Sequence, residues 1–212
     1  MRTVIQILLS IVIIFLGYSV FESIMKPIRF NREKNTRERA AIMRLIDIRE
    51  AQKAFKDENL RYTSDFDSLI NFVKHDSFKV IKAINMIPEY LIDSLQDINK
   101  ATIIALKRGL IKREKSKVAV IDSVFGKSFN ADSLRYVPFT KGLSFDMKAG
   151  SYTTTSGLNV KVLEVSVLFE NLLKGLDPQL VVNYIDERTK ITRFAGLKFG
   201  SFEEGTLSGN WE

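Results

Sequence analysis

The chain of 212 residues contains no cysteine, a single histidine, one tryptophan and four prolines. Without cysteine no disulfide framework and no thiolate metal site can form, and the redox compartment is left open. One histidine cannot build a zinc site of the usual type, and it leaves Ser-His-Asp catalysis a single candidate base. That residue, His75, stands between Lys74 and Asp76 at an expected helix end, where it reads as solvent-facing.

Phosphate-cradling and nucleophile signatures are also missing, since no G-x-x-x-x-G-K-[ST], G-x-S-x-G or G-x-G-x-x-G occurs. Asp65 and Asp67 alternate, but Ser68–Asp76 supplies neither the further oxygen ligands nor the glycine of a calcium loop. The carboxylate pairs Asp186–Glu187 and Glu203–Glu204 are adjacent in sequence, so on a strand or turn they point apart and read as surface charge. No catalytic residue, cofactor or metal ligand is assigned, and a non-enzymatic role is expected.

Charge is lacking over one stretch: no residue from Thr3 to Phe21 is ionisable at neutral pH. At about 1.5 Å per helical residue this run approaches the roughly 30 Å thickness of the bilayer hydrocarbon. Val4, Ile7, Leu8, Ile11, Ile14 and Phe15 are the expected membrane-anchor residues, with the lipid bilayer as partner. A cleaved secretory signal would have a shorter apolar core and small residues after it. Here Gly17-Tyr18-Ser19-Val20-Phe21-Glu22 follows, so a retained anchor over residues 1–26 is expected.

The net charge of +7 is concentrated just beyond that segment, in Lys26, Arg29, Arg32, Lys34, Arg37, Arg39, Arg44 and Arg49. Such a collar reads as the solvated face of a helix, attracted to anionic headgroups. No aromatic residues interleave it to stack bases, so nucleic acid is not expected as a partner. By the positive-inside rule the collar favours a cytoplasmic soluble domain.

From about Asn31 to Asn59, Ala41, Leu45, Ile48, Gln52 and Phe55 recur at steps of four and three, the spacing of one apolar helical stripe. Ala41, Leu45, Ile48 and Phe55 are the expected packing residues. Asn59–Thr63 ends this helix, and Ser64 with Asp67 forms a capping-box pattern for a short second one. A further helix is expected from Pro88 through Leu106 to a stop at Gly109. After Lys115, Val118–Ile121, Leu134–Val137, Leu143–Met147, Tyr152–Thr155 and Leu158–Phe169 read as strands separated by glycines. Glu170–Lys174 reads as a helical turn, Asp177-Pro178 as a further connection before Leu180–Ile185, and Gly196–Glu212 as a surface loop. The organisation expected is therefore an anchor (1–26), a helical region (27–115) and a mainly antiparallel β region (116–212) forming one domain with the helices. The fold class is α+β, with amphipathic helices covering one face of the sheet.

The anchor, the helix continuing from it and the passage Ile48-Arg49-Glu50-Ala51-Gln52-Lys53-Ala54-Phe55, followed by Asn59-Leu60-Arg61-Tyr62 and Asp67-Ser68-Leu69, resemble the N-terminal part of type IV pilins and type II secretion pseudopilins. The resemblance covers roughly the first third of the chain. It implies one long helix whose apolar half packs subunits together in the membrane and whose second half lies on a small antiparallel sheet. It also implies a periplasmic domain, against the charge count, partners that are other subunits or copies of the chain itself, and Arg61 and Tyr62 as the turn after the helix. The chain departs from the family pattern in two places. Gly17 and Glu22 have the spacing of the pilin leader site, but they close the apolar segment instead of opening it. Pro27 is expected to kink or interrupt the helix at the membrane surface. The function expected is an envelope assembly component acting through protein contacts; the alternative is a membrane-tethered ligand- or peptide-binding module using the Tyr152–Asn159 loop.

Overall fold

A computed structural model describes residues 2–84, 86–126, 128–154 and 157–212, with the side chains of all of these except 4, 79–84 and 112–116. In chain order the elements are α1 (Arg2–Asn59), α2 (Phe66–His75), β1 (Ser77–Ile84), α3 (Glu89–Leu95), α4 (Ile98–Lys107), β2 (Lys112–Ala119), α5 (Val120–Val124), a 3-10 turn (Ala131–Leu134), β3 (Asp146–Thr153), β4 (Asn159–Leu168), α6 (Phe169–Leu172), α7 (Pro178–Thr192) and β5 (Gly196–Gly200). The chain is α+β, with one long N-terminal helix and two small antiparallel sheets. It divides into two compact units, one holding residues up to 66 and 132–212 and the other residues 67–131.

In the first unit α1 runs without interruption for 58 residues and passes through Pro27. The expected break is absent. Proline removes one backbone hydrogen bond, here to the Ser23 carbonyl, and costs about 3 kcal/mol, while its fixed φ is itself helical. That local cost leaves the long helical stretches on both sides intact. The helix ends where Leu60 takes a left-handed φ of 58° and donates its N–H to Lys56 O at 2.7 Å.

The sheet of this unit has the order β3-β4-β5, all antiparallel, with Asp146 opposite Ser166 and Thr153 opposite Asn159. Leu163, Val165 and Val167 alternate along β4 and are buried with Leu197 and Phe199 of β5. α1 lies against β5, and its Ala41, Leu45, Ile48 and Ala51 are fully buried, with Phe55 nearly so. Each large apolar side chain so buried contributes roughly 1.5–3 kcal/mol.

The expected surface loop Gly196–Glu212 instead begins as β5, a central part of the core. Its glycines are there for close approach: a Cβ on Gly196 would lie 2.1 Å from Val167 O, and one on Gly200 2.0 Å from Leu163 O. The segment after β5 folds back on it, with Gly200 N–H donating to Ser208 O and Asn210 N–H to Lys198 O. Leu180–Ile185 is part of α7, whose Asp177 cap accepts from Gln179 N and Leu180 N. Of the expected strand Leu134–Val137 only a bridge between Tyr136 and Ser144 forms, and Leu134 closes a 3-10 turn. Leu143–Phe145 precede β3, which runs from Asp146 to Thr153; Thr155 of the expected Tyr152–Thr155 strand lies outside the described residues.

In the second unit β1 pairs antiparallel with β2, Ser77 opposite Ala119 and Ile84 opposite Lys112. The region 27–115, expected to be helical, thus contains β1 and the start of β2. The single helix expected from Pro88 to Leu106 is two. Gln96 turns left-handed at φ 48° after α3, and the Asp97 carboxylate accepts from Asn99 N and Lys100 N to open α4. Leu91, Ala101, Ala105 and Ile111 form the small core between them. Val118–Ile121, expected as a strand, is divided between the end of β2 and the start of α5.

Candidate functional site

The first half of α1 leaves the packed sheet behind. Ile7, Leu8, Ile11, Ile14 and Phe15 are 62%, 62%, 62%, 72% and 65% exposed; of Val4 only the backbone is described. Ile5, Leu9, Val12, Ile13 and Leu16 are exposed as well, so the segment is apolar around its whole circumference and nothing among the described residues covers it. A helix of that kind is stable only in lipid or among other apolar helices. By length and composition it can cross a membrane, with a mean hydropathy of 2.2 over 18 residues.

Beyond it the basic collar does two jobs. One set of cations fastens the rest of the unit onto α1. Arg37 Nη1 donates to Lys174 O at 3.0 Å and Leu172 O at 3.3 Å, and Arg37 Nε bonds Glu33 at 3.1 Å. Lys34 lies 4.2 Å above the Tyr184 ring, whose hydroxyl donates to Glu38, docking α7 on the helix. Burial, then this bond to the Glu38 carboxylate, pushes the Tyr184 phenol well above its usual range. Arg49 Nη1 donates to Leu207 O at 3.2 Å and to Glu212 at 2.6 Å, clasping the last residues to α1. That bond holds the Glu212 carboxyl below its usual range. Burial lowers the Arg44 guanidinium and raises Asp47, each opposed by the charge of the other. A second set stays in solvent: Lys26, Arg32 and Arg39 are exposed and make no ion pair or side-chain hydrogen bond among the described residues.

At the end of α1, Gln52 is fully buried. Its Nε2 donates to Thr63 O at 2.7 Å and to Met147 Sδ at 3.0 Å, while its Oε1 accepts Thr63 N–H at 3.2 Å. One amide thus ties the turn after the helix back to the helix and to β3. Within that turn Arg61 is exposed, and Tyr62 is buried beneath Lys56, whose Nζ lies 5.0 Å from the ring centre.

The chemistry-bearing residues do not converge. His75 is exposed in the last turn of α2, Asp186 and Glu187 are exposed on α7, and Glu203 and Glu204 donate their N–H groups to Ser201 Oγ in a turn. No group of three metal-ligating side chains occurs among the described residues. No protein-family model, curated protein or solved structure matches the chain.

The buried stripe was readable from its helical spacing and the exposed segment from its uncharged, apolar composition. Arg37, Arg49 and Tyr184 were not readable as fasteners, because their acceptors lie more than a hundred residues away and are partly backbone carbonyls, which no side-chain pattern announces.

Proposed function

We propose that this chain is a non-enzymatic, single-pass component of a bacterial cell-envelope assembly of the pilus-like or secretion-like kind. The exposed half of α1 anchors it in the inner membrane, and the sheet-bearing unit stands in the periplasm, where it packs against other subunits or copies of itself. The observation that supports this reading is the continuity of α1: the same helix that offers a bare apolar surface over its first third is the buried support of the sheet over its second half. A protein that needed only tethering has no use for that rigidity, because a flexible linker serves equally well. A subunit that must hold a fixed orientation to its neighbours does.

Two experiments test it. Crosslinking in native membranes should capture oligomers or a second protein; recovery of free monomer alone counts against the assembly role. Reporter fusions after Glu212 should be active in the periplasm, and a cytoplasmic result removes the pilus-like reading. The alternative, a tethered binding module, would instead give a thermal shift with a ligand.

A further inference from the structure

In the first unit a cleft of about 670 Å³ lies between the turn Phe139–Leu143 and the residues Asn171, Lys174 and Gly175 at the end of α6. That volume suits a small molecule. Both walls are fixed by the fold. Val137 N–H donates to Leu143 O at 2.8 Å and Thr140 Oγ1 to Val137 O at 2.7 Å, closing the turn on itself. Opposite, Leu172 and Leu173 are fully buried, and the Leu172 and Lys174 carbonyls accept from Arg37 Nη1. A ligand entering between these walls meets a preformed surface, so little ordering opposes its binding.

One residue of the turn is held at a cost. Pro138 and Phe139 occupy its two central positions, with Thr140 N–H donating to Val137 O at 3.4 Å, and Phe139 has a φ of 61°. The second central position of such a turn favours glycine, so a ring there is strained. Phe139 is 58% exposed, and packing within the unit does not offset that strain. Backbone strain of this kind is kept where a side chain is needed for contact with something else.

The polar part of the cleft is one-sided. Lys141 on one wall, and Lys174 and Asn171 on the other, make no side-chain hydrogen bond or ion pair among the described residues, and no acidic residue lines the cleft. Two cations lining one space repel each other until an anion enters. Phosphate sites draw on helix N-termini or runs of backbone N–H groups. Here the Asp177 carboxylate takes the first N–H groups of α7, and the N–H groups of Val137, Thr140 and Gly142 bond carbonyls of their own turn. What remains is a set of side-chain donors, which suits the two oxygens of a carboxylate. An exposed ion pair alone binds weakly, so the apolar surface of Phe139 and Leu143 is needed for a ligand to stay.

We infer that this cleft binds a carboxylate carried on an apolar body: Lys141 and Lys174 pair with the carboxylate, the Asn171 amide donates to it, and Phe139 and Leu143 cover the body. The carboxylate belongs to a free organic acid or to the last residue of a peptide. The inference is independent of the membrane and assembly readings, since every residue it uses lies in the sheet-bearing unit. The full chain in phosphatidylcholine nanodiscs can be titrated calorimetrically with N-acetylphenylalanine, its uncharged amide, phenyl phosphate and N-acetyl-triglycyl-phenylalanine. The acid should bind several-fold more tightly than the amide and than phenyl phosphate, and should slow hydrogen exchange at residues 137–143 and 171–175. Lys141→Gln with Lys174→Gln should remove the preference for the acid over the amide. Phe139→Gly should weaken binding of the acid several-fold while keeping or raising the melting temperature, which shows that the fold is intact. Tighter binding of the tetrapeptide than of the acid identifies a peptide end as the source, and equal binding a free acid. Acid and amide binding alike, phenyl phosphate binding more tightly, an unchanged preference in the double lysine variant, or no binding of the acid at millimolar concentration overturns the inference.

Discussion

Gln52, Tyr184 and Gly200 each make a different physical point. Leucine at position 52 would occupy much the same volume as Gln52 but leave both backbone groups of Thr63 without their partner. An unpaired buried polar group costs about 1–3 kcal/mol. Gln52→Leu should therefore lower the unfolding free energy by about 2–3 kcal/mol in chemical denaturation, and an unchanged midpoint would show that Thr63 finds water instead. Tyr184 has a folded-state pKa raised above its ordinary value of 10.0. Its contribution is fully present below pH 10 and is lost as pH rises toward the folded value, because the unfolded phenol ionises first. Melting temperature should accordingly fall more steeply above pH 10 in the natural chain than in Tyr184→Phe. At Gly200 the φ of 81° and the nearness of Leu163 O exclude a side chain. Gly200→Ala should cost more than about 2 kcal/mol, the left-handed penalty alone being about 1–2 kcal/mol.

Among the elements, α1 was the most legible and β5 the least. Ala41, Leu45, Ile48 and Phe55 stand at helical spacing and all turn toward the core, since one amphipathic face has one way to bury itself. β5 was hidden by Gly196 and Gly200, which as sequence mean a turn and in the fold mean backbones in contact. The division of α3 from α4 was carried by Asp97, a capping residue overlooked within an apolar periodicity that continues across it. β1 had a signal, the run Phe78-Lys79-Val80-Ile81, but its partner β2 is a mostly charged segment over thirty residues later. Of the functional surface, the bare apolar segment was readable from composition, whereas the fasteners of the collar depend on distant backbone. At Pro27 the element itself can be tested. Pro27→Ala returns an N–H to the Ser23 carbonyl, so hydrogen exchange over residues 22–28 should slow; equal rates would mean that this stretch is already held by its surroundings.

On the scale of the whole molecule, the uninterrupted α1 means that the exposed apolar segment and the sheet share one angular phase. Each residue of helix advances about 1.5 Å and turns about 100°. One alanine inserted after Gly17 would rotate every apolar side chain below it by about 100° relative to the domain above. In the assembly we propose, neighbouring copies could then satisfy their contacts in the bilayer or outside it, but not both. Crosslinking in native membranes should drop sharply with that insertion. It should persist in Gly17→Ala, where the added methyl meets nothing within 4 Å. The helix thus acts as a shaft, setting the direction in which the domain faces by counting residues.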